Sequence, residues 1–125
     1  MANKIHKSFQ FAGKGFRNLL IAERNIKIHL AITALVIAVG LILKINSQEW
    51  VMLLLIIGLV LCTEIINTAI EKMLDYLYPK DRRTPEQDRI VGVVKDTLAG
   101  AVLVAAVISI LIGLLIFLPY LVRYF

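Results

Sequence analysis

Cysteine is almost absent from this sequence, and the gap removes several classes of protein at once. Cys62 is the sole thiol in 125 residues. It has no partner for an internal disulfide, and one cysteine is no zinc site. Lying inside an apolar run, it reads as a small apolar filler. Histidine is scarce too: His6 and His29 have neither zinc-ligand nor catalytic-triad spacing. His29, at the start of an apolar run, reads as a polar anchor facing the polar stripe described below. No phosphate-binding glycine loop of the Walker type exists. Gly13-Lys14-Gly15 is too short and lies in an amphipathic stretch. Internal repeats and low-complexity tracts are also missing. The first 27 residues are polar and amphipathic, and no small-residue cleavage pattern follows the first apolar run. The first spanning helix is therefore expected to serve as its own insertion signal.

What the chain has in abundance is apolar surface. Apolar residues make up 59% of it, and the mean hydropathy is +0.81. A soluble fold of 14.0 kDa cannot hide that much, so lipid is the expected solvent. The net charge is +5. The cations flank long apolar runs, which points to anionic headgroups as partner and away from nucleic acid.

The pattern along the chain predicts an all-α integral membrane protein in one domain. Residues 3–22 read as a surface helix. Ile5, Phe9, Ala12, Phe16, Leu19 and Leu20 recur on one face, with Lys4, Lys7, Lys14 and Arg17 on others. Three spans are expected, at about 28–45, 50–78 and 90–118. Residues 46–49 read as a turn, with Trp50 an interfacial anchor. Residues 79–88 read as a polar loop broken by Pro79 and Pro85. Cations gather in the N-terminal flank (Lys4, Lys7, Lys14, Arg17, Arg24, Lys27) and in the second loop (Lys80, Arg82, Arg83, Arg89, Lys95). The positive-inside rule places both in the cytoplasm and the C-terminus outside.

The second span carries the chemistry. Glu64, Asn67, Thr68, Glu71 and Asp75 share one face of a helix. Acids at lipid depth are expensive and mark a functional site by default; the plainer reading is a structural polar seam. Glu64 lies 14 residues beyond Trp50, about 21 Å along the axis, in the cytoplasmic third of the hydrocarbon. Glu71, Glu23 and Lys95-Asp96 are expected near the same boundary. A lipid hydroxyl reaches that boundary from the bilayer, and ATP reaches it from water. A carboxylate could accept the hydroxyl proton, others could hold Mg²⁺ against phosphates, and a lysine could neutralise the transferring group.

The segment Glu64-Ile65-Ile66-Asn67-Thr68-Ala69-Ile70-Glu71-Lys72-Met73-Leu74-Asp75 resembles the E-x-x-N-(S/T)-A-I-E-x-x-x-D signature of the prokaryotic diacylglycerol kinase family. Lys95-Asp96-Thr97-Leu98-Ala99-Gly100-Ala101-Val102-Leu103 matches its second signature, K-D-x-x-A-G-A-V-L. The resemblance implies a homotrimeric helical bundle with sites shared between subunits, in a bacterial inner membrane. It implies that Glu64 is the general base and that Asn67 helps build the site. Glu23 and Glu71 would be the metal-binding carboxylates and contact nucleotide, with Lys95 and Asp96. Lys14, Gly15 and Arg17 would border lipid, with Ala99 beside them. Phe11 and Lys4 align with nucleotide contacts. Two branches exist, one acting on diacylglycerol and the other on undecaprenol. Residues 7–15, Glu23-Arg24-Asn25, His29 and residues 112–119 look like the undecaprenol branch. The 79–92 loop is longer than the family's usual one.

Two rival classes compete with a lipid kinase. In a small transporter subunit, Glu64 and Glu71 would relay ions or protons. In a purely structural membrane protein, changes at Glu64 would alter stability alone. Lipid-stimulated, Mg²⁺-dependent ATP consumption discriminates both.

Overall fold

A computed structural model describes residues 1–125 in full. Four α-helices follow one another: α1 (Ala2–Ala22), α2 (Arg24–Leu43), α3 (Ser47–Leu77) and α4 (Pro85–Tyr124), with a 3-10 turn at Lys80–Arg82 between the last two. Helices α2, α3 and α4 are long and apolar enough to cross a membrane, as the hydropathy pattern predicts. The surface helix also stands where its periodicity places it.

Each corner has a local cause. Glu23 leaves helical geometry at φ −112° and joins α1 to α2, its N–H donating to the Leu19 carbonyl. Leu19 and Ile26, buried on either side, pin this bend. Helix α2 stops at Leu43 because Lys44 turns left-handed at φ 53°, a position where glycine is usual. The helix that holds the expected first span of about 28–45 thus covers 24–43. The Trp50 ring folds back onto α2 at Gly40, where a Cβ would stand 2.9 Å from a ring carbon.

Two expected loops are capping boxes instead. Glu49 N–H donates to Asn46 Oδ1 (2.9 Å), and Asn46 N–H donates to Glu49 Oε2 (3.2 Å). Residues 47–49 are therefore the first turn of α3, and the helix that holds the expected second span of about 50–78 covers 47–77. Thr84 and Gln87 cap α4 in the same way, with Pro85 at the first helical position, where its missing N–H removes no bond. Pro85 starts the helix that its polar neighbours disguised. Helix α4 also continues through Pro119 to Tyr124, so the helix that holds the expected third span of about 90–118 covers 85–124. The expected long loop shrinks to residues 78–84, and Lys95-Asp96 lies well inside α4. At 1.5 Å per residue α4 is about 60 Å long, roughly twice the hydrocarbon thickness.

The main packing joins α3 to α4. Ile45, Leu53, Ile56 and Ile116 form a buried cluster near the α2–α3 corner, and Tyr120 Oη donates to Glu49 Oε2 there at 2.7 Å. Only 12 of 125 residues are buried. Leu55, Leu115 and Ile42 face outward, so the apolar surface that folding would normally hide is left for lipid or for other chains.

Candidate active site

Helix α3 carries the site, and its polar stripe meets a different partner at each level. Glu64, 4% exposed, is enclosed by the bundle. It faces His29 on α2, with Nε2 3.9 Å from Oε2. One turn on, Thr68 is buried. Asn67 Oδ1 is buried without a hydrogen-bond donor. Left unpaired, such an atom forfeits about 1–3 kcal/mol, which makes Asn67 a candidate for contact with a group outside the chain.

Glu71 is half-buried on the next turn, beside Lys72. Lys72 Nζ lies 3.6 Å from Glu23 Oε1, which draws the α1–α2 bend against this level of α3. Asp75, one turn farther, accepts a hydrogen bond from Lys95 Nζ at 2.9 Å and lies 3.3 Å from Arg83 Nη2. Arg83 also reaches the Tyr78 carbonyl (2.7 Å) and Asp88 (3.4 Å), fastening the end of α3 to the start of α4. Asp96 and Ala99 are exposed on α4.

On α1, Lys4, Phe11, Lys14, Gly15 and Arg17 are all exposed. Gly15 borders a cavity of about 390 Å³ between α1 and α3, opposite Thr68 and Lys72.

The expected residues therefore lie along one helix face, but a single chain does not collect them at one point. Glu64 with His29, Glu23 with Lys72, and Lys95 with Asp75 are three separate groups. Lys95 meets α3 at Asp75, 11 residues from Glu64, or about 16 Å along the axis. The separation is compatible with the expected sites shared between subunits. No three acidic, histidine or cysteine side chains gather as a cation cage either.

Sequence reasoning missed Lys72 as the partner of Glu23 and Arg83 as the α3–α4 fastener. Asp75 was visible on the stripe, but its role in holding Lys95 was not. Only the i, i+4 neighbourhood of Asp75 is legible in sequence, and its partners are 8 and 20 residues away.

A model of one family, described as "Prokaryotic diacylglycerol kinase", matches residues 10–117, which include the hinge, the whole stripe and Lys95-Asp96. The chain belongs to the prokaryotic diacylglycerol kinase family. Among curated proteins it is 40% identical over 117 residues to the undecaprenol kinase of Bacillus subtilis (strain 168), covering 94% of this chain and 90% of that one. It is 30% identical over 119 residues to a diacylglycerol kinase of Synechocystis sp., covering 95% of this chain and 65% of that longer one. The chain is accordingly a membrane-embedded lipid kinase, which passes a phosphoryl group from a donor to a lipid alcohol. The transporter and purely structural readings fall with that membership.

Proposed function

We propose that this chain phosphorylates undecaprenol to undecaprenyl phosphate, using MgATP at the cytoplasmic face of the bacterial inner membrane. The observation that carries the choice of lipid is the 40% identity to the Bacillus subtilis undecaprenol kinase across nearly both chains. The Synechocystis relative supports diacylglycerol as the second reading. Undecaprenol and diacylglycerol competed in one detergent test the choice. Preferential labelling of undecaprenol is expected, and preferential labelling of diacylglycerol would reverse it.

Glu64 serves as the general base. It is enclosed at hydrocarbon depth, where a lipid hydroxyl arrives and bulk water does not. The hydroxyl proton passes to a Glu64 carboxylate oxygen as the alcohol oxygen bonds to the γ-phosphorus. The bond from that phosphorus to the β-γ bridging oxygen breaks, and ADP leaves. Asn67, with its unpaired buried oxygen, supplies a polar contact one turn away.

Glu23 and Glu71 would hold Mg²⁺. A two-carboxylate donor set fits this ion, which in kinases relies on one or two acids plus phosphate oxygens rather than a protein cage. Bound there, the ion would neutralise phosphate charge. Lys95 and Asp96 bind the nucleotide, Lys95 offsetting charge on the transferring group. Lys14, Gly15, Arg17 and Ala99 border the lipid, with Lys4 and Phe11 toward the nucleotide.

The active assembly is a homotrimer with shared sites. Its support is the separation along α3: Lys95 is held at Asp75, about 16 Å along the axis from Glu64 of the same chain, and a neighbour's Lys95 can close the gap. A neighbour would also cover the half-exposed acids that lipid disfavours. The N-terminus and the α3–α4 loop face the cytoplasm and the C-terminus faces outward, as cation placement supports.

A further inference from the structure

Beneath Glu64 lies a cavity of about 510 Å³ between α2, α3 and α4, lined by Val36, Leu53, Val60, Phe117 and other apolar side chains. Three polar side chains border it: His29, Thr33 and Ser109. Two are already committed to their own helices. Thr33 Oγ1 donates to the His29 carbonyl at 2.8 Å, and Ser109 Oγ donates to the Ala106 carbonyl at 2.7 Å. The imidazole of His29 is the polar group left to a ligand. Its side chain is 26% exposed, against 5% for that of Glu64, and it borders the cavity whereas Glu64 does not.

The spacing of the two groups has a chemical meaning. At 3.9 Å, His29 Nε2 and Glu64 Oε2 are too far apart to hydrogen-bond each other. They are well placed to share one oxygen atom between them. An oxygen about 2.8 Å from each would see them at an angle of roughly 90°, open enough for one donated and one accepted bond.

We propose that His29 is a substrate-binding residue that clamps the acceptor hydroxyl of the lipid alcohol against Glu64. This rests on the assignment of Glu64 as general base. His29 donates Nε2–H to the hydroxyl oxygen, and the hydroxyl donates its proton to Glu64. The remaining lone pair of the oxygen is thereby fixed toward the phosphoryl group. In the transfer the proton moves to Glu64, the new O–P bond forms and the bond to ADP breaks. His29 keeps its proton throughout. The apolar cavity beside the ring takes the first part of the lipid tail, because the tail must lead away from the clamped oxygen and the space next to it is apolar. The clamp selects an alcohol: a lipid that ends without a hydroxyl gains nothing from it.

Full-length His29→Leu and His29→Gln proteins, each purified in detergent, test the clamp with undecaprenol and its deoxy analogue. Loss of one donor to the reacting oxygen should lower kcat/KM for the alcohol about ten- to a hundred-fold in His29→Leu. The KM for ATP and the inhibition constant of the deoxy analogue should stay unchanged. His29→Gln, which keeps an N–H donor, should recover part of the loss. Unchanged kcat/KM in His29→Leu, or an equal loss of affinity for the deoxy analogue, would overturn the clamp.

A measurement on the unsubstituted protein covers the case in which the variants do not assemble. In ¹⁵N-histidine spectra without nucleotide, the alcohol should shift the His29 Nε2 resonance well beyond the shift the deoxy analogue gives and leave His6 unmoved. An unmoved His29 resonance at saturating alcohol would refute the proposal. Glu64→Gln run in parallel separates the two ideas. If Glu64→Gln is inactive and His29→Leu is normal, the general base stands and the clamp alone fails. If Glu64→Gln is active, the general-base reading fails and the clamp falls with it.

Discussion

Replacing Glu64 with glutamine should move activity and stability in opposite directions. The substitution keeps the shape of the side chain and removes its ability to take a proton. Loss of general-base catalysis lowers the rate about 10²- to 10⁴-fold, equivalent to roughly 3–5 kcal/mol of barrier. The fold should respond differently. Glu64 is 4% exposed, and the His29 ring stands 3.9 Å away, outside hydrogen-bond range. An ionised acid buried without a hydrogen-bonding partner costs on the order of several kcal/mol. An amide of the same volume relieves part of that cost, so the variant should unfold at the same temperature or a few degrees higher. Two assays decide it: phosphoryl transfer to the lipid alcohol under saturating MgATP, and thermal unfolding in the same detergent. A folded Glu64→Gln protein with near-normal turnover would refute the general-base assignment. An inactive protein that also unfolds well below the parent would show that Glu64 holds the bundle together, and that the structural reading of the stripe is correct.

Glu23→Gln and Glu71→Gln should each raise the Mg²⁺ concentration needed for half-maximal activity, and an unchanged Mg²⁺ titration in both would remove them as ligands. Mixing inactive Glu64→Gln chains with inactive Lys95→Ala chains should restore part of the activity, since the 16 Å separation along α3 calls for a lysine from a neighbour. No recovery in mixed assemblies verified by cross-linking would place both residues in one chain. Tyr120→Phe deletes the 2.7 Å hydrogen bond to Glu49 and should lower unfolding stability by about 1 kcal/mol without altering the KM for ATP. A change in that KM would link the α3–α4 corner to the nucleotide site.

Much of the fold was legible because each signal is local. The Ile5, Phe9, Ala12, Phe16 periodicity requires a helix with one wet face. Runs of some 20 apolar residues require spanning helices, since lipid satisfies no backbone group. The face shared by Glu64, Asn67, Glu71 and Asp75 follows from 3.6 residues per turn. Helix ends were harder to read. Asn46, Glu49, Thr84 and Gln87 are polar because they cap helices, and by composition a capped first turn looks like a loop. Pro85 and Pro119 show the same ambiguity: one opens a helix and the other is absorbed by it.

The sequence by itself therefore determined the class of the protein, its spans, its family motifs and the helix that carries the acids. Only the tertiary structure decided who meets those acids. Helix period relates residues three, four and seven apart, but it says nothing about which neighbouring helix lies opposite. The α1–α2 bend and the lean of α2 on α3 set His29 against Glu64 and Lys72 against Glu23. The tight α3–α4 connection sets Lys95 against Asp75. These contacts join residues 20 to 49 positions apart in the chain, and interhelical packing sets their distances.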